Sequence, residues 1–107
     1  MVHNKRLFTI DRKDIKVTID LGFDGKNLKL DGYIVDKMES AFSHSDYSIT
    51  VSSENLPKLY EINNVEIGNK KELIKTLSVF LSDNKAYSLL HDYLKENEIE
   101  FTSYTYN

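Results

Sequence analysis

The sequence predicts an α+β fold with two layers, in which a mixed and mostly antiparallel sheet of about five strands carries helices on one face. Two patterns support this prediction. In the first half of the chain, apolar residues alternate with polar ones, which is the period of a strand buried on one side. In the second half, two apolar stripes recur with helical spacing, and each stripe needs a surface to pack against. The chain has 107 residues, and we expect one domain over residues 1–107.

The first three strands are predicted from short apolar runs separated by turns. Leu7–Ile10 is such a run, and the charged residues 11–14 end it. A second strand follows, with apolar residues at every other position: Ile15, Val17, Ile19 and Leu21. The glycines within residues 22–25 tolerate a positive φ, so the chain is expected to turn back there. Leu28 and Leu30 continue the alternation and form the returning strand of a hairpin.

A helix is predicted next, followed by a fourth strand. Asp31 and Gly32 are typical of a turn, and the apolar residues after them take helical spacing: Ile34, Val35, Met38, Ala41 and Phe42. The polar residues 43–46 break this pattern. Alternation then returns at Tyr47, Ile49 and Val51. If this strand pairs in parallel beside the strand that contains Leu28 and Leu30, its connection is a right-handed crossover.

Three helices and a last strand are predicted for the rest of the chain, which gives the order β-β-β-α-β-α-α-α-β. Pro57 is compatible with the first turn of a short helix. Asn69 and Glu72, three residues apart, resemble a capping box that begins a pair of longer helices. The apolar stripes of this pair are Leu73, Ile74, Leu77, Phe80 and Leu81, and then Ala86, Leu89, Leu90, Tyr93 and Leu94. Asn97 is expected to end the second helix in a left-handed conformation, and alternation from Ile99 to Thr105 predicts the closing strand.

Composition and spacing argue against most kinds of catalytic or cofactor site. The chain has no Cys, so it has no disulfide, thiolate metal ligand or cysteine nucleophile. His3, His44 and His91 are far apart in the sequence and match no zinc-binding spacing. Residues 43–46 contain the residue types of a catalytic triad, but neighbours in a short loop cannot adopt triad geometry. We therefore expect no metal, no cofactor and no catalytic residue, and we predict that the protein is not an enzyme.

Charge and hydropathy argue against two further classes of partner. A formal net charge of −3 is unfavourable for a protein that binds nucleic acid by neutralising phosphates. The first residues of the chain are basic, but the charged residues 11–14 interrupt them too early for a signal peptide or a membrane span. We expect a cytoplasmic protein that binds neither nucleic acid nor membranes.

Two predicted surfaces carry residues that are typical of protein-binding sites. The junction between the last helix and the last strand is acidic, with Asp92, Glu96, Glu98 and Glu100. Carboxylates near a helix C-terminus oppose the helix dipole, and a basic partner would relieve that cost. If Val17, Ile49 and Phe101 face the helices, the outer face of the sheet presents Thr18, Asp20, Ser48, Thr50, Thr102, Tyr104 and Tyr106. Tyr is enriched in binding surfaces, although a solvated acidic face and a strand of good β-formers are the alternatives.

Three segments carry a resemblance to known proteins: Asp31-Gly32-Tyr33 before the predicted helix, Ser45-Asp46-Tyr47 before the fourth strand, and the closing unit 84–106. Together they resemble a pattern in small bacterial proteins, some of which are similar to immunity proteins of toxin systems or to mobile-element inhibitors. The resemblance spans most of the chain and rests on turn and core residues. It implies a partner that is a toxin or a defence effector.

Small size, acidity and the lack of a catalytic set favour the same class of function. Our hypothesis is a protein-binding module, an inhibitor or immunity protein that blocks the functional surface of a partner protein with a basic surface. We expect a monomer or a weak dimer. The alternative is a small enzyme or ligand-binding domain with a site around His44 or His91, which a deep pocket with converging polar groups would favour.

Overall fold

The computed structural model describes residues 2–37 and 43–106. Within these residues the chain forms four strands, three helices and a fifth strand. The first four strands are β1 (Val2–Asp11), β2 (Ile15–Asp24), β3 (Asn27–Asp36) and β4 (Ser43–Val51). The remaining elements are α1 (Leu56–Ile62), α2 (Lys70–Leu81), α3 (Ala86–Glu96) and β5 (Thr102–Tyr106). The predicted α+β class, with five strands and the helices after the fourth, is confirmed.

The five strands form one sheet in the order β1-β2-β3-β4-β5, and each strand is antiparallel to its neighbours. Leu30 on β3 illustrates the register, since it lies opposite Leu21 on β2 and Ile49 on β4. Gly25, with a φ of +64°, forms the tight turn of the β2–β3 hairpin. The fourth strand therefore pairs beside the third in the antiparallel direction. The right-handed crossover that parallel pairing would require does not apply.

The helix predicted to start at Ile34 is wrong for its first residues, because β3 continues to Asp36. Ile34 lies opposite Val17 and Ser45, and Val35 lies opposite Lys16 and His44. Two β-branched residues in sequence fit a strand as well as a helix, and here pairing on both sides decides the conformation. The later positions of the predicted helix, residues 38–42, lie outside the described residues.

Gly32 lies within β3 and does not end it, in contrast to the turn predicted there. The residue faces the helical side of the sheet, where the ring of Tyr47 covers it. A Cβ atom at this position would come within 2.0 Å of that ring. The lack of a side chain therefore serves the packing of Tyr47, whose ring also meets that of Tyr87 edge-on at 5.0 Å.

The core lies between the sheet and the helical layer. Ile19, Leu21, Leu30 and Ile49 are fully buried on the sheet side. They meet the helical residues Leu73, Ile74, Leu77, Leu81, Ala86, Leu90 and Leu94 in one cluster. The predicted stripes of α2 and α3 are confirmed at these positions. Phe80 and Leu89 belong to the predicted stripes but are 38% and 39% exposed, since they lie at the margin of each stripe.

The ends of the long helices agree only partly with the predicted caps. The side chain of Asn69 accepts a hydrogen bond from the amide of Glu72 at 3.3 Å, as the capping motif predicts. Asn97 is not left-handed, since its φ is −99°. The left-handed residue is Glu98, with a φ of +55°, while the Asn97 amide group donates to the carbonyl of Tyr93.

The last strand is shorter than predicted, because β5 begins at Thr102. Ile99 is only 4% exposed and belongs to the core although it lies in a loop. Phe101 packs against the same core and meets the ring of His91 at 5.1 Å. Apolar residues in this loop thus anchor the chain before it enters the sheet.

None of the helices in residues 2–37 and 43–106 is long and apolar enough to cross a membrane.

Truncating Leu77 or Leu90 to Ala is expected to lower the free energy of unfolding by about 2–5 kcal/mol, because each leaves a cavity in the core. Val79→Ala is the matched control on α2, since Val79 is 82% exposed, and its effect should stay within about 0.5 kcal/mol. Urea denaturation of the three variants provides the measurement. Equal losses for Leu77→Ala and Val79→Ala would contradict the assigned helix faces.

Candidate functional site

The outer face of the sheet, away from the helices, brings together side chains that are distant in sequence. Because alternate residues of a strand face opposite sides, the residues between the core positions point outward. Tyr33 on β3, Asp46 on β4 and Tyr106 on β5 lie opposite one another and form one row across the sheet. The adjacent row consists of Asp31, Ser48 and Tyr104 on the same three strands.

Four ring-bearing side chains form what we call the aromatic patch: Tyr33, His44, Tyr104 and Tyr106. The three tyrosines are 40%, 58% and 53% exposed, respectively, and His44 is exposed as well. The ring of His44 lies between two of them, with its centroid 5.8 Å from that of Tyr33 and 6.3 Å from that of Tyr106. These separations are in the range of favourable aromatic pairs. The structure thus places three neighbouring rings on the outer face, with the exposed ring of Tyr104 two residues before Tyr106 on β5.

The carboxylates of this face differ in their ion pairs and neighbouring charges. Asp20 forms an ion pair with Arg6. Asp31 lies 3.7 Å from the ammonium group of Lys29. Partial burial raises the pKa of Asp31 above its ordinary value, the Lys29 charge opposes that shift, and the Asp20 charge adds to it.

Asp46 is the carboxylate that the aromatic patch surrounds. It is half-buried and lies between Tyr33 and Tyr106 in register. It forms no ion pair and no hydrogen bond with the side chain of any described residue. A shallow depression of about 260 Å³ passes beside it, and its wall contains Tyr33, Asp46 and Tyr104 together with the Lys29–Asp31 ion pair. A cationic group that entered this depression would meet a negative charge and the faces of tyrosine rings, and both attract cations.

The acidic junction, which we define as Asp92, Glu96, Glu98 and Glu100, is fully on the surface. Asp92 lies 3.5 Å from His91. Glu98 and Glu100 share an open depression of about 550 Å³ with Lys95, so this surface is less uniformly negative than the sequence suggests. Glu100 also lines a second depression together with Thr102, the first residue of β5. The acidic junction therefore leads directly into the strand that carries Tyr104 and Tyr106.

The sheet residues that were expected to face outward do so in the structure. Tyr104 and Tyr106 are exposed, and Thr18, Asp20, Ser48 and Thr50 occupy alternate positions to the buried ones. Tyr33, His44 and Asp46 belong to the same surface, which was not predicted from the sequence. Alternation from β2 through β3 was the signal that could have placed Tyr33 on this face, but the prediction of a helix after Gly32 concealed it.

His91 does not join this surface. The His91 ring packs against Tyr87 at 6.2 Å and Phe101 at 5.1 Å, which fixes α3 to the start of β5. The side chain of His3 lies outside the described residues. Within residues 2–37 and 43–106, no group of three His, Cys, Asp or Glu side chains is arranged to hold a metal ion. The described residues line five surface depressions of about 260–670 Å³, and neither His44 nor His91 lines any of these five.

No protein-family model matches the chain, and no curated protein or solved structure is similar enough to count as a match.

Zinc should bind this protein only weakly and without fixed stoichiometry, because the chain has no thiolate and no paired histidine ligands. Isothermal titration of EDTA-treated protein with zinc provides the measurement. His44→Ala and His91→Ala serve as comparison variants and should give the same weak heat as the unmodified chain. Saturable binding of one zinc ion at submicromolar concentration, lost in either variant, would contradict the prediction.

Proposed function

We propose that this chain is a small protein-binding module of the inhibitor or immunity type, which docks through the aromatic patch and Asp46 onto a basic surface of its partner. The observation that supports this proposal most strongly is the row Tyr33–Asp46–Tyr106, in which a half-buried carboxylate without a described counter-ion is flanked by exposed rings. A single basic side chain of the partner would satisfy all three groups at once.

Tyrosine suits this role for physical reasons. Each ring offers a large apolar surface with a polar tip, and few rotatable bonds are frozen when it binds. Tyr104 and Tyr106 leave more than half of their surface in water, so a partner can still remove apolar area there. Exposed rings on a solvated strand are common, yet four of them around one carboxylate exceed what β-propensity requires.

The acidic junction extends the negative surface toward the start of β5. Exposed charges of this kind add little to final affinity, but they raise the rate at which an oppositely charged partner arrives. Asp92 and Glu96 are one helical turn apart on α3, and Glu98 and Glu100 follow in the loop. We assign them a steering role, with the aromatic patch as the anchor.

The type of partner follows from the same reasoning. A toxin or a defence effector that acts on nucleic acid or another anion needs a basic functional surface, and an acidic, aromatic face is suited to cover it. The competing hypothesis, an enzyme or ligand-binding domain around His44 or His91, has no support from a described pocket. His44 belongs to the aromatic patch, and the structure gives His91 a packing role.

The patch variant Tyr104→Ser/Tyr106→Ser should lose the partner that the unmodified chain captures from a lysate of its source organism. Dissociation should accelerate by about tenfold or more, because buried aromatic anchors hold a complex together once it has formed. The control is Val79→Ser/Leu89→Ser on the helical layer, whose side chains are also exposed. Surface-based kinetics with the isolated partner provides the measurement.

The charge-reversed variant Glu96→Lys/Glu98→Lys/Glu100→Lys should instead slow association by about tenfold at low salt and flatten the dependence on salt concentration. An inhibitor should also suppress the partner's activity in a one-to-one ratio. The proposal fails if the patch variant binds like the unmodified chain while the helical control loses binding.

A further inference from the structure

We infer that the partner binds by adding an extended strand to the outer edge of β5, with a basic side chain of that strand placed over the aromatic patch. This inference rests on the proposed function and specifies its geometry. It begins from the position of β5, which pairs with β4 on one side only. Within residues 2–37 and 43–106, no strand covers its second edge.

The second edge of β5 lacks most of the devices that keep a sheet edge from pairing. Natural edges are usually guarded by charged residues, proline or bulges. The sequence of β5, Thr-Ser-Tyr-Thr-Tyr, has neither charge nor proline, and its register with β4 runs without a break from Thr102 to Tyr106. All five residues are exposed. Among the described residues, its short length is the one feature that protects this edge, and a strand of five residues still offers alternate outward amides and carbonyls.

The opposite edge of the sheet, β1, is guarded in several ways. Its register with β2 shifts twice, once before Lys5 and once after Arg6. The helix α2 packs against this strand, and the groove between them contains Lys5, Lys71 and Lys75 beside Glu72. Irregular pairing and side-chain charge both disfavour the addition of another strand. Of the two sheet edges, β5 is therefore the one that can accept an added strand.

The chemistry of the outer face indicates which strand would fit. A strand paired with β5 would lie about 5 Å from it, so its outward side chains would stand beside Tyr104 and Tyr106. Asp46 would then be about 10 Å from the new backbone, which is within reach of an extended Arg or Lys that lies across the Tyr106 ring. Such a residue would gain contact with the ring face and a charge-assisted hydrogen bond. The favoured occupant is therefore a strand with basic residues at alternate positions.

A second copy of this chain is a poorer occupant of the same edge. Antiparallel pairing of two β5 strands would bring tyrosines against tyrosines and would leave both Asp46 carboxylates without a cation. The net charge of −3 on each copy also opposes association. Self-pairing is nevertheless a distinct outcome that the experiment below detects.

The test uses the peptide acetyl-Thr-Arg-Thr-Arg-Thr-Arg-Thr-amide as a probe and observes the protein by NMR titration. One N-methylated version carries methyl groups on the backbone amides of all Arg residues. A second version carries them on the backbone amides of the second and third Thr residues. An added strand directs only alternate amides at its neighbour, so one methylated version should bind about tenfold or more weakly while the other stays within about twofold. Shift changes should centre on β5 and Asp46. A Glu-for-Arg version should bind about tenfold or more weakly than the Arg peptide.

Three results would overturn the inference. The first is no saturable binding of the Arg peptide, and the second is equal behaviour of the two methylated versions. The third is a dimer in sedimentation equilibrium that the guarded variant Ser103→Lys/Thr105→Lys abolishes, since the edge would then belong to a second copy. Ser103 and Thr105 are exposed and face away from the aromatic patch, so these lysines guard the edge without touching it.

The guarded variant also separates this inference from the proposed function. If the isolated partner is lost by Tyr104→Ser/Tyr106→Ser and by the guarded variant, both hold. If the tyrosine variant loses the partner and the guarded variant retains it, the face binds without strand addition, and only the inference fails. Ser88→Lys on α3 controls for added positive charge, because Ser88 is exposed and distant in sequence from β5.

Discussion

The packing of α2 and α3 against one face of the sheet is the interaction on which the rest of the structure depends. Ile19, Leu30 and Ile49 are fully buried by it, and a slip of one residue in any strand would turn them toward water. The same constraint determines the opposite face. Once the core residues are in place, Asp46 must lie on the outside, and the pairing of β4 with β5 brings Tyr106 into the same row. Core packing therefore determines the face on which the candidate site lies, and strand pairing brings its residues together.

The two edges of the sheet differ in charge and in protection. Lys5 and Lys71 line the groove between β1 and α2, and the irregular register of β1 disfavours further pairing. At the other edge, Glu98 and Glu100 precede a strand that is uncharged and open. In the proposed complex, this polarity orients an approaching basic partner toward β5. The proposed complex thus places steering, anchoring and strand addition on adjacent parts of one surface.

Local periodicity was sufficient for the β2–β3 hairpin and for α2 and α3, because each of these elements repeats its own apolar pattern over several turns or residues. It was insufficient at Ile34, where pairing with two neighbouring strands extends β3 beyond the glycine. The residues of the candidate site also divide into those that local periodicity identifies and those that it does not. Tyr104 was identified because it lies in an alternating strand, whereas Asp46 becomes informative only through its cross-strand neighbours. Contacts between distant residues are invisible to a pattern read along the chain.

Hydrogen–deuterium exchange of this protein, with and without the isolated partner, tests most directly the claim that the outer face at β4 and β5 is the docking surface. We expect slower exchange in residues 44–48 and 102–106 in the complex, with little change in α2. Amides of β5 that face the second edge should be among the most protected if a strand is added there. Protection centred on the exposed side of α2 and α3, with unchanged exchange in β5, would contradict it.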